Sequence, residues 1–121
     1  MIRKVSTYLM FTGQAAEALA LYTDVFPESE ASVRDAPVYM ADWRLAGHDV
    51  MLVDSPNVHD FTFTPSMSLF VDFGDAAALD AAFARLSEGG QVMMPVDNYG
   101  FSQRFAWVAD RFGVSWQLNL P

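Results

Sequence analysis

The chain has 121 residues, 52% of them apolar and 18% charged, a composition that excludes intrinsic disorder and suits one domain with its own buried core. Seven basic residues stand against 15 acidic ones, for a net charge of −8, and the acids are scattered singly. A field of that sign repels phosphate backbones and anionic membranes, so neither nucleic acid nor a membrane surface is expected as a partner. The absence of cysteine excludes disulfides, thiolate metal sites and Cys nucleophiles.

Met1-Ile2-Arg3-Lys4 is basic but leads into no long apolar run and no cleavage-like site. Neither a signal peptide nor a spanning segment is expected, and a cytoplasmic location is the expectation. Val5 to Phe11 reads as a strand, broken at Thr12-Gly13 before a helix from about Gln14 to Phe26 that Pro27 ends. Ala18, Leu21, Tyr22 and Val25 recur at helical spacing and predict a buried stripe on a sheet. Strands are predicted at Ala31 to Arg34, Val38 to Leu45 and, beyond the Ala46-Gly47 turn, Asp49 to Asp54. The first part therefore reads β-α-β-β-β.

Residues 55–65 read as a linker, after which the order repeats. A strand from Met67 to Phe73, a break at Gly74-Asp75 and a helix to about Ser87, with stripe Leu79, Ala82, Phe83 and Leu86, lead to Gly89-Gly90. Strands follow near Gln91 to Met94, Ser102 to Ala109 and Val114 to Leu120. The last divides by period two, with Val114, Trp116, Leu118 and Leu120 on one face and Ser115, Gln117 and Asn119 on the other, so it is expected to be half buried. A constant shift lays Thr7 on Ser68, Leu9 on Phe70, and the first helical stripe on the second. Residues 1–121 are thus expected to form a single domain made of two modules, 1–54 and 66–121. The fold class is α+β, with two βαβββ modules forming curved mixed sheets around a cleft.

Several stretches carry a family likeness: Gly13-Gln14-Ala15-Ala16-Glu17-Ala18 with Tyr22, Phe26-Pro27-Glu28-Ser29, Leu86-Ser87-Glu88-Gly89-Gly90, Met94-Pro95, and Asp110-Arg111-Phe112-Gly113-Val114-Ser115-Trp116-Gln117. In this order they resemble the vicinal-oxygen-chelate superfamily, also called glyoxalase/bleomycin-resistance/dihydroxybiphenyl dioxygenase, over the whole chain. They are most similar to its PhnB-like branch, which often bears the name of a demethylubiquinone methyltransferase domain. That name has no support in the residues. A methyl donor such as S-adenosylmethionine is held by a Gly-rich strand-to-helix loop of a parallel sheet, and none of the seven glycines forms one.

Metal-dependent members of the superfamily take ligands from the first and last strand of each module, and the resemblance puts those positions at Thr7, Met51, Ser68 and Gln117, with Gln117 where the pattern has Glu. Two hydroxyls, a thioether and an amide lack the charge or imidazole nitrogen that divalent ions require. No metal and no other cofactor is therefore expected. His48 and His59 are expected in solvated loops, and no Ser lies in a Gly-x-Ser-x-Gly elbow. Asp72 and Asp75 both suit the positive end of the second helix, Asp75 as its N-cap. Asp42 and Arg44 share a strand face, where Asp42 could pair with Arg44 or accept from a ligand.

The expected cleft lining is Thr7, Met51, Ser68, Gln117 and Asn119, with Ser115 as a further lining hydroxyl and aromatic walls from Trp43, Trp107, Tyr99 and Phe101 suited to a flat organic molecule. The favoured function is small-molecule binding in a metal-free cleft, by a homodimer whose sheet edges are paired. The alternatives are a metal-dependent lyase, isomerase or dioxygenase of the same superfamily, and an interaction protein with a vestigial pocket. The sequence names no ligand.

Overall fold

The computed structural model describes residues 1–57 and 59–121. They divide into two units, Met1–Phe61 and Thr62–Pro121, each a βαβββ module.

In the first unit β1 (Thr7–Phe11), α1 (Ala15–Val25), β2 (Glu30–Val33), β3 (Met40–Leu45) and β4 (His48–Asp54) follow in chain order. The sheet order is β1-β4-β3-β2, with β1 parallel to β4 and the other pairs antiparallel. Ala46 and Gly47, at φ 49 and 84, make the two-residue hairpin between β3 and β4, the left-handed pair that matches strand twist. The helix lacks a cap from its neighbour Gln14. Instead Asp54, at the end of β4, accepts from Gly13 N (3.1 Å) and Ala15 N (2.9 Å) through Oδ1, which satisfies amide groups the helix start leaves open.

Alternation sorts the strands into two faces. Leu9, Phe11, Ala41, Trp43, Val50 and Leu52 are buried on the α1 side, where Tyr22 stacks on Trp43 at 5.4 Å and Phe26 lies 6.0 Å from it. The other face carries Tyr8, Met10, Met40, Asp42, Arg44, Asp49, Met51 and Val53, as the strand register requires.

The second unit repeats the plan with β5 (Ser68–Asp72), α2 (Ala76–Ser87), β6 (Gln91–Asp97), β7 (Arg104–Ala109) and β8 (Ser115–Leu120). The order is β5-β8-β7-β6, again with one parallel pair, β5 and β8. Asp75 caps α2 by accepting from Ala78 N at 2.7 Å, as the sequence predicts. Asp72 does not join it, because its side chain leaves the opposite face of β5 and binds Asn119 (below). Strand β6 continues past the predicted end at Met94 to Asp97 and carries register shifts on either side of Met94. Edge strands and bulges are the sites that tolerate proline, and Pro95 lies in this irregular stretch.

Helix α2 buries Leu79, Ala82 and Leu86 against the sheet, and Arg104 of β7 reaches Asp80 of α2 through two bonds of 2.8 Å. Beyond α2, Gly90 lies so close to the next strands that a Cβ there would stand 2.1 Å from the Ala109 carbonyl oxygen. Only glycine fits.

The turn before β8 is organised by Asp110, which is 2% exposed. Its Oδ1 accepts from Phe112 N (2.9 Å) and Val114 N (3.1 Å), and its Oδ2 from Trp116 Nε1 (3.0 Å). Gly113 closes the turn at φ 92, in the left-handed region that favours glycine. Trp116, Leu118 and Val108 are fully buried under α2. Truncating Trp116 to Ala removes a large core ring and one Asp110 bond, so we expect a loss of about 3–5 kcal/mol. Denaturant melts check this. A variant within about 1 kcal/mol of wild type would mean the faces of β8 are reversed.

Candidate functional site

The face of the second sheet turned away from α2 is polar at its centre. Three aligned rows cross it: Ser68 beside Ser115, Phe70 beside Gln117 and Trp107, and Asp72 beside Asn119 and Phe105. Ser68 Oγ and Ser115 Oγ are 2.7 Å apart, Trp107 Nε1 donates to Ser115 Oγ at 2.9 Å, and Gln117 Nε2 donates to Ser68 Oγ at 3.2 Å. In the third row Asn119 Nδ2 donates to Asp72 Oδ1 at 2.8 Å. Four side chains named from the sequence, Ser68, Gln117, Asn119 and Trp107, thus share one face and are joined in two hydrogen-bonded groups.

Rings border these groups. Phe105 lies 5.0 Å from Phe101, 6.1 Å from Tyr99 and 6.3 Å from Phe70. Tyr99 is tied to its loop by donating its hydroxyl to the Pro95 carbonyl. Phe70 and Phe101 are more than half exposed, so flat apolar surface is presented beside the polar centre. Ser115, expected as a lining hydroxyl, stands on this face beside Ser68, and Phe70 and Phe105 belong to it although the expected lining omits them. The signal for these two was alternation: each stands two residues from a named position, Ser68 or Trp107.

The first unit distributes its named residues differently. Met51 lies on the face away from α1, between Tyr8 and Asp42 on the adjacent strands. Trp43 is 1% exposed and packs on Tyr22 and Phe26, so it belongs to the core under α1. Thr7 shares the side of Leu9 and Phe11, where its Oγ1 is 2.8 Å from His48 Nε2. His48 therefore opens β4 and meets Thr7 rather than standing alone in a loop. The shift that aligns Thr7 with Ser68 also aligns Leu9 with Phe70, yet Leu9 is buried against the helix and Phe70 is 56% exposed. The two first strands are out of phase by one residue, and a one-residue slip exchanges faces.

Asp42 pairs with Arg34, not Arg44. The guanidinium of Arg34 binds both its oxygens at 2.7 and 2.8 Å, while Arg44 and Lys4 approach Asp49. Asp42, Arg44 and Asp49 border a recess of about 210 Å³ with Glu30, Ala31, Ser32 and Trp43. Hydrogen bonding to Arg34 lowers the Asp42 pKa below the ordinary carboxylate range. A carboxylate with a lowered folded-state pKa contributes stability above its unfolded value, and that contribution is lost as pH falls through the folded one. Arg34→Gln should therefore move the Asp42 titration upward, which carbon-detected NMR of the carboxyl groups reads directly.

The model of the family described as 3-demethylubiquinone-9 3-methyltransferase matches residues 3–119. The chain belongs to this family. It is 39% identical to a PhnB protein of the same description from Bacillus cereus, with a TM-score of 0.87 over 98% of this chain and 100% of that one. Its fold is shared with a glyoxylase/bleomycin resistance protein/dioxygenase domain from Frankia sp. EAN1pec, which is 17% identical, with a TM-score of 0.73 over 99% and 98% of the two chains. It is also shared with a variant of the fosfomycin resistance protein FosX from Listeria monocytogenes complexed with Mn(II) and 1S,2S-dihydroxypropylphosphonic acid. There the identity is 13% and the TM-score 0.70, over 100% and 94% of the chains. Family and fold together set the chain in the vicinal-oxygen-chelate superfamily, as its sequence pattern predicts.

The residues do not fit a divalent ion of the kind FosX holds. Ser68 and Gln117 offer a hydroxyl and an amide already engaged with each other, and Thr7 and Met51 stand on opposite faces of their sheet. Among the described residues no group of three or more His, Cys, Asp or Glu side chains could hold a metal. Ser115 is the hub of the second unit's network. Replacing it with Ala removes the acceptor of the Trp107 indole and one partner of Ser68, so we expect a loss of about 1–3 kcal/mol and altered Trp107 fluorescence. Melts and emission spectra check both.

Proposed function

We propose that this chain binds a small, flat, partly aromatic organic molecule on the face of its second sheet turned away from α2, without a resident divalent metal. The observation that carries this reading is the linked set Trp107, Ser115, Ser68 and Gln117 beside the rings of Phe70, Tyr99, Phe101 and Phe105. Rings supply contact area, and a few placed polar groups supply orientation. Met51 with Tyr8 and Met10 forms adaptable apolar surface on the face of the first sheet turned away from α1. Sequestration of a harmful compound is the activity that binding alone provides.

The family's descriptive name suggests methyl transfer, but the mixed sheets and the lack of a Gly-rich strand-to-helix loop give a methyl donor no obvious seat. The second reading is a metal-dependent lyase, isomerase or dioxygenase, favoured by the Mn(II) in the FosX neighbour. Elemental analysis of chelator-free protein, followed by melts with added Mn²⁺, Ni²⁺ and Zn²⁺, separates the two. We expect no stoichiometric metal and little change in melting temperature. One tightly held equivalent with a large rise in Tm would favour the second reading, since neutral oxygens and a thioether hold such ions weakly against water.

The same reading includes a homodimer in the cytoplasm. Strands β1, β2, β5 and β6 end their sheets, and unpaired edges favour association. No helix among the described residues is long and apolar enough to cross a membrane. Light scattering after size exclusion should give twice the chain mass at tens of micromolar, and a clean single-chain mass would refute the dimer.

A further inference from the structure

The hydrogen bonds of the second sheet fix which atoms are left to meet a ligand. The indole N–H of Trp107 can only donate, so Ser115 Oγ accepts from it. Ser115 is 2% exposed, and among the described residues the other side chain bonded to its hydroxyl is Ser68, at 2.7 Å. Ser115 must therefore donate to Ser68, because a buried hydroxyl proton without a partner is costly. Ser68 Oγ then accepts twice, from Ser115 and from Gln117 Nε2. No acceptor among the described residues takes its own proton, which makes Ser68 a donor toward a ligand.

The two amides are oriented in the opposite sense. Gln117 turns its NH₂ to Ser68, which leaves Oε1 as its acceptor, and no donor among the described residues reaches it. Asn119 cannot turn over, because the Asp72 carboxylate beside it only accepts and must be met by Nδ2. Asn119 Oδ1 is consequently buried, with the residue 8% exposed, and has no hydrogen-bond partner among the described residues. A buried acceptor of this kind points to an absent donor. The face thus offers one hydroxyl donor, Ser68, next to an amide acceptor, Gln117. A second amide acceptor, Asn119, lies two residues along β8, about 6–7 Å away by strand rise.

We propose that the molecule bound here is a neutral flat heterocycle with an N–H beside a carbonyl, a cyclic amide. Its carbonyl accepts from Ser68, its N–H donates to Gln117 Oε1, and a further donor on a natural ligand would satisfy Asn119 Oδ1. The proposal rests on the reading that this face binds a flat ring. Carboxylates and phosphonates are disfavoured, since Asp72 and two amide oxygens line the site and the chain carries a net charge of −8.

Three probes of similar shape test it on the full chain: carbostyril, which has the cyclic amide edge, its N-methyl derivative, which lacks the N–H, and quinaldate, an anion. Binding is read by Trp fluorescence titration and by ligand-observed NMR. Carbostyril should bind at least about tenfold more tightly than either of the others, as expected where a site's polar groups are built for an N–H. Ser68→Ala should weaken carbostyril by about tenfold. Equal or tighter binding of the N-methyl derivative or of quinaldate to the wild-type protein would overturn the cyclic-amide assignment while leaving flat-ring binding intact. Failure of all three to bind would overturn the flat-ring reading itself, and this inference with it.

Discussion

The Asp110 carboxylate is the contact on which the second unit depends. It is buried and meets three N–H groups, two from the turn backbone and one from the Trp116 indole. A buried charge is costly unless hydrogen bonded, and these donors are available only when the turn closes and Trp116 points beneath α2. That choice of side for Trp116 determines the side of Ser115, Gln117 and Asn119. As β8 is bonded to β5 on one flank and β7 on the other, its phase sets the rows of the whole sheet.

With the phase set, the two faces are held by different physics. Beneath α2 the sheet is close packed around Leu118, Val108 and Ala106, where area removed from water dominates and a wrong volume is felt at once. On the opposite face the central side chains are restrained by direction, the Trp107 indole and the two amides each donating to a particular oxygen. Bonds of this kind add little net stability but define orientation, which is what recognition requires. The rings of Phe70 and Phe101 at the border remain accessible.

Much of this was legible in the sequence because its signals were local. The two helices, the alternation of β8, the Asp75 cap and the Asp110 turn each follow from spacing within a few residues. The misplaced residues needed information from further away. In Thr7-Tyr8-Leu9-Met10-Phe11 nearly every position is apolar, so no period revealed that Thr7 faces α1. Trp43 alternates with Asp42 and Arg44, which was a correct sign of a core position, but its size suggested a binding wall. Asp42 found Arg34 on the neighbouring strand's continuation, and α1 is capped by Asp54 from the far end of its unit. Such pairings depend on register, which composition does not encode.

The phase difference between β1 and β5 limits how interchangeable the two halves are. Grafting β5 in place of β1 residue for residue would put Ser68 and Phe70 under a helix and drop Leu69 and Val71 from cover, while the reverse graft would place Leu9 and Phe11 among the serines and amides. Recombination strand by strand is therefore barred, even though each half has the same element order. An accurate alignment of the halves has to gap the turn between first strand and helix. Comparisons that omit that gap will equate a packing position with a hydrogen-bonding one and blur both.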